Sequence, residues 1–110
     1  MRSLIALLAF FPLAAQAADP HAEAKEIMAG QCSSCHTIPG VPGALGDIGP
    51  SLRGMAARST IAAKLPNNDA NMVRWLMHPQ QVLPGTQMPD LGLTDDQARK
   101  IAAYLHTLNK

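Results

Sequence analysis

The sequence predicts an all-α fold with few helices and much loop. Three observations lead there. Apolar residues recur at helical spacing in three segments, each opened by a capping residue. No alternating run is long enough for a strand. Nine prolines and eight glycines cluster between residues 39 and 54 and between 79 and 92, which marks the connections as irregular.

Ahead of the helices stands MRSLIALLAFFPLAAQA. It has one basic residue near its start, an apolar stretch from Leu4 to Ala15, and a small-x-small ending at Ala15-Gln16-Ala17. This reads as a secretory signal peptide over 1–17, cleaved after Ala17 or Ala18, and too short for a stable membrane span. The remainder, 18–110, is one small domain with eight basic and eight acidic residues. No basic stripe for nucleic acid and no acidic tail is present. The expectation is an exported monomer in the periplasm, where a disulfide is permitted.

In the first helix, Asp19-Pro20 supplies a cap and a proline at the first helical position. The helix should run from about Pro20 to Gly30, with a further turn carrying the two cysteines. The second is capped by Asn68 or Asp69, presents Met72, Val73, Leu76 and Met77 on one face, and stops at Pro79. In the third, Thr94-Asp95-Asp96-Gln97 is a capping box. Ala98, Ile101, Ala102, Leu105 and Leu108 follow at helical spacing to the end of the chain. A weaker helical turn is expected around Thr60 to Leu65. Long loops are uncommon in compact domains unless they carry function. Three helices and two long loops make a poor core, so something apolar should fill the middle.

The only two cysteines stand in CSSCH, residues 32–36. On a helical turn Cys32, Cys35 and His36 face the same way. C-x-x-C-H is the attachment signal for c-type haem, with two thioether bonds at one edge and the imidazole toward the iron. The rivals fit less well. A redox dithiol wants a βαβ context. Structural zinc wants four ligands, and His21, His78 and His106 are isolated. A bare disulfide explains neither His36 nor the loops.

With His36 on one face of the iron, the opposite face has Met55, Met72, Met77, Met88 and the other histidines as candidates. Met72 and Met77 lie on the second helix, where methionine commonly fills core. Met88 lies in LPGTQMPD, stiffened by Pro84, Gly85 and Pro89, 52 residues after His36. A stiff loop lowers the entropic cost of presenting a weak thioether ligand. Met88 is therefore the expected distal ligand, with His78 its main competitor. His/Met ligation raises the reduction potential and suits electron transfer.

CSSCH, GPSLRGMAAR at 49–58, WLMHPQQVLPGTQMP at 75–89 and IAAYL at 101–105 together resemble a class I c-type cytochrome, over Ala22 to Leu108. The wording is similar to small bacterial monohaem cytochromes c and to cytochrome c domains fused to subunit II of haem–copper oxidases. The resemblance implies the class I fold, three main helices plus short turns wrapped around one covalently bound haem c. It implies that Cys32 and Cys35 bond the haem vinyls and that His36 and Met88 ligate the iron. The Pro50 carbonyl would accept from the other nitrogen of His36, which orients the ring. Arg58 and Thr86 match residues near a haem propionate. Trp75 stands where many relatives have a tyrosine; an indole donates but cannot accept, so propionate, sulfur and water all remain open as its partner. Ala24 and Tyr104 match the crossing of the first and last helices, with Met28 where an aromatic often lies.

No Lys or Arg occurs from Thr37 through Leu52 or from Trp75 through Ala98. Those stretches offer Ile38, Pro39, Val41, Pro42, Leu83 and Pro84, so docking should use an apolar, weakly charged patch. The function this implies is a periplasmic one-electron carrier, not an enzyme. It would run between a dehydrogenase or quinol-oxidising complex and a terminal oxidase or reductase of a respiratory chain. The alternative is a haem peroxidase or gas sensor with a labile Met ligand.

Overall fold

The computed structural model describes residues 3–10 and 18–110. Arg2 and the expected cleavage site Ala15-Gln16-Ala17 lie outside the described residues. Residues 3–10 have no regular structure and are exposed. Among the described residues no helix is long and apolar enough to cross a membrane.

Four helices form among the described residues: α1 (Ala22–Gln31), α2 (Asp69–Met77), α3 (Pro79–Val82) and α4 (Asp95–Leu105). A 3-10 turn, Met55–Ala57, and a two-residue hairpin complete the fold. Helix α1 starts two residues later than Pro20. Asp19 does not occupy the cap position; its carboxylate accepts from the His21 N–H at 2.8 Å and from Lys25 Nζ at 2.6 Å. Asn68 caps α2 by accepting from the Asn71 N–H at 2.9 Å. Pro79 ends that helix and opens α3, where its missing N–H costs nothing.

Thr94 and Gln97 exchange both bonds of the capping box on α4. This helix ends at Leu105, three residues short of Leu108, and the chain closes in a turn from Thr107 and Leu108 back to Tyr104 and Leu105. It packs against both α1 and α2. Ala24 and Met28 of α1, Met72 and Leu76 of α2, and Ala98, Ile101 and Leu105 of α4 share one buried core.

The helical turn expected around Thr60 to Leu65 is a hairpin instead. Thr60–Ile61 (β1) pairs antiparallel with Leu65–Pro66 (β2), with Ile61 opposite Leu65. The turn between them holds Ala62 at φ 52° and Ala63 at φ 54°. Left-handed backbone is unusual for alanine, so local sequence did not announce it. Asn67 fixes the base of this segment. Its Nδ2 donates to the Met55 and Arg58 carbonyls at 2.9 and 2.8 Å, and its Oδ1 lies 2.9 Å from His106 Nε2.

Candidate functional site

The turn after α1 builds one wall of a cavity. The Cys35 and His36 N–H groups both donate to the Cys32 carbonyl, at 3.2 and 2.9 Å. The helical path therefore continues far enough to bring Cys32, Cys35 and His36 to the same side. The cysteines are unbridged thiols. Burial, and then the neighbouring Cys35, push the Cys32 thiol up to about 11. Among the described residues no three His, Cys, Asp or Glu side chains gather as a metal cage.

The loop GDIGP lies directly on this turn. Gly46 N–H donates to the Ser33 and His36 carbonyls at 3.2 Å each, and Gly49 N–H to the Cys35 carbonyl at 2.7 Å. The approach is close enough to require glycine. A Cβ on Gly46 would stand 2.5 Å from the Ser34 carbonyl carbon, and one on Gly49 would stand 2.5 Å from His36 Cε1. The next residue, Pro50, accepts at its carbonyl from His36 Nδ1–H at 2.7 Å. Sequence reasoning missed both glycines, although the G-x-x-G-P spacing was their signal.

The opposite wall is the loop after α3. Pro84 and Gly85, the latter at φ 82°, form a turn closed by the Thr86 N–H donating to the Leu83 carbonyl at 3.0 Å. Proline then glycine at the centre is the composition a type II turn requires. Met88 follows, its N–H 3.4 Å from Thr86 Oγ1. On the remaining side Arg58 donates through Nη2 to the carbonyls of Ser51 and Arg53, the latter at 3.2 Å.

The structure brings all eight residues singled out in sequence around one cavity: Cys32, Cys35, His36, Pro50, Arg58, Trp75, Thr86 and Met88. Its volume is about 590 Å³, within the range of roughly 300–1,000 Å³ for cofactor sites. The rest of the lining is largely apolar, including Leu52, Ile61, Leu76 and Ile101. Such a lining fits a large flat cofactor with few polar atoms, and the cavity borders the core that the helices share through Met28, Met72, Leu76 and Ile101. Met55 and Met72 also line it, whereas Met77 and His78 do not.

The cytochrome c family profile matches residues 21–109. The chain belongs to the cytochrome c family. Its helical arrangement is the class I fold, and the family consists of electron-transfer proteins carrying covalently attached haem c. The chain is 34% identical to cytochrome c2 of Rhodoblastus acidophilus, over 81% of this chain and 92% of that protein. It is 35% identical to cytochrome c2 of Rhodopila globiformis, over 78% and 91%. It is also 32% identical to cytochrome c oxidase subunit 2 of Alkalihalophilus pseudofirmus, over 70% of this chain, and spans only 22% of that larger protein.

Proposed function

We propose that this chain is an exported one-electron carrier of the periplasm, with His36 and Met88 as the axial ligands of its haem. The observation that carries the reading is an apolar cavity with CSSCH on one wall and the Met88 loop on the other. Haem iron supplies ferric–ferrous exchange when bound. Cys32 and Cys35 anchor the group through thioethers. The His36 Nδ1–H, engaged by the Pro50 carbonyl, leaves Nε2 for the metal and strengthens it as a donor. Arg58 has guanidinium N–H groups beyond those of Nη2, and Thr86 keeps its own O–H; both can donate to propionates. The Trp75 indole, in the cavity lining, has one N–H to donate. With His36 and Met88 both holding the iron, the site would suit electron transfer and would not favour oxygen chemistry.

Residues 1–17 would direct export and be removed, leaving the haem domain 18–110 to work as a monomer. Donor and acceptor are assigned by class: a dehydrogenase or quinol-oxidising complex, and a terminal oxidase or reductase. Similarity to an oxidase subunit supports the acceptor class. Docking would use an apolar surface, with its membership revised. Ile38 and Val41 are 2% and 5% exposed and belong to the core, because bonds among Ile38, Val41 and Ala44 fold that segment inward. Leu45 and Ile48 are exposed instead, at 79% and 66%, and Ile48 also lines the cavity. Electron transfer through this surface should change little with salt; a steep fall as salt rises would count against it.

The test is a redox spectrum of the purified protein. Sharp c-type bands that survive acid–acetone extraction establish covalent haem. The weak far-red sulfur-to-iron band of the oxidised form should vanish in Met88→Ala. It should persist in Met55→Leu and Met72→Leu, whose side chains also line the cavity, and in Met77→Ala. Retention of the band in Met88→Ala would refute the ligand assignment.

A further inference from the structure

Gln80 lies in α3 and reaches across to the loop that carries Met88. Its Nε2 donates to the Thr86 carbonyl at 2.7 Å and to the Met88 carbonyl at 2.8 Å. A primary amide has two N–H groups, so both are committed to this loop. The backbone N–H of Gln80, an orphan donor in the first turn of α3, donates to Asp90 Oδ1 at 3.2 Å. One residue therefore grips the chain before, at and after Met88. The bonds the loop makes within itself are fewer: the turn at Pro84-Gly85, and a long 3.4 Å contact from the Met88 N–H to Thr86 Oγ1.

We propose that Gln80 is the positioning residue for Met88. It would hold the thioether toward the cavity from a place outside the cavity lining, and so set how readily the distal position opens. The proposal rests on Met88 being the distal ligand. Its physical basis is a population argument. An incoming ligand can take the distal position only in the fraction of molecules whose loop has swung away, so its apparent affinity scales with that fraction. Removing the amide takes two bonds from the closed state and none from the open one. The two carbonyls, half-buried when the loop is closed, regain water when it opens.

The test uses the oxidised holoprotein, with imidazole as the incoming ligand. Gln80→Glu keeps the shape but at neutral pH sets a carboxylate, which only accepts, against two carbonyls. It should lose most of the far-red sulfur-to-iron band at neutral pH, and its reduction potential should fall. Gln80→Ala should keep the band but bind imidazole about tenfold more tightly than the parent. Gln81→Glu, one residue on and exposed, adds the same charge without touching the loop and should change neither reading. If Gln80→Glu does not accumulate, Gln80→Ala alone decides. Parental band and imidazole affinity in both Gln80 variants, with the band lost in Met88→Ala, would overturn the clamp and leave the ligand standing. A band retained in Met88→Ala would overturn both together.

Discussion

The two walls of the cavity are held by different kinds of contact. On the CSSCH side, glycine backbone presses directly on the motif: Gly46 lies against the Ser34 and Cys35 backbone and Gly49 against the His36 ring, with no room for a Cβ. On the Met88 side, one side-chain amide gathers two part-buried carbonyls. Close-packed interiors respond steeply to added volume. A hydrogen bond in a half-buried loop contributes only about 0.5–1.5 kcal/mol net. The CSSCH wall is thus built to resist change, and the Met88 wall can be tuned. An imidazole fixed against rigid backbone needs no further adjustment; a thioether on a tethered loop can be strengthened or loosened by single substitutions.

The strongest way to break this contrast is Gly46→Ala. The new methyl would meet the backbone of Ser34 and Cys35, which cannot rotate away. We expect a loss of about 3 kcal/mol or more, read as a fall in thermal midpoint of the holoprotein of more than about 10 °C. Gly49→Ala should cost somewhat less stability, because its neighbour is the His36 ring rather than backbone. It should also shift the reduction potential, since the ring must turn relative to the Pro50 carbonyl. If either variant were as stable as the parent, the CSSCH wall would not be rigid.

A second prediction sharpens the side-chain half of the comparison. Asn67 repeats the Gln80 device, one amide gathering the Met55 and Arg58 carbonyls. Asn67→Ala should cost about 2 kcal/mol, because two part-buried carbonyls lose their donor. Chemical denaturation should show it as a lower midpoint at unchanged slope. Thr94→Ala, outside the cavity lining, removes the cap of α4 and should cost about 1 kcal/mol with no change in reduction potential. That pairing separates general stability from control of the site.

The smallest effect is electrostatic. Hydrogen bonds from Lys25 and from the His21 N–H hold the Asp19 carboxyl below its ordinary value of 3.8. A lowered folded-state value stabilises above the unfolded value and is lost as pH falls through the folded one. Asp19→Asn should therefore be slightly less stable than the parent at neutral pH. The difference should stay constant down to about pH 5 and close below 3.8. Thermal midpoints measured across this range test it.

What could be read in the sequence follows from how local each feature is. The α4 capping box is written in four consecutive residues. CSSCH presents its three groups within one turn, and the stiffness of the Met88 loop is declared by Pro84, Gly85 and Pro89. Features that depend on distant neighbours were not legible. Ala62 and Ala63 adopt a left-handed turn that no local residue calls for. Ile38 and Val41 look like surface in a proline-rich loop, yet they fold inward, while Leu45 and Ile48 remain outside. Gln80 reads as an ordinary polar residue after a helix-stopping proline. Its role exists only because the loop returns to within 3 Å of it.

The ion pair between Glu23 and Lys100 joins residues 77 apart in the chain, and Tyr104 donates to the Pro39 carbonyl across a further long separation. In time, this means that the helix α1 packs against does not exist until the last segment of the domain has been made. A chain emerging from its N-terminal side carries α1 into solvent well before Ala98, Ile101 and Leu105 exist to pack with it in the shared core. Closing so long a loop is also entropically unfavourable and slow compared with forming either helix. The N-terminal helix thus passes through an interval as an undocked segment, and that interval ends when the last helix packs.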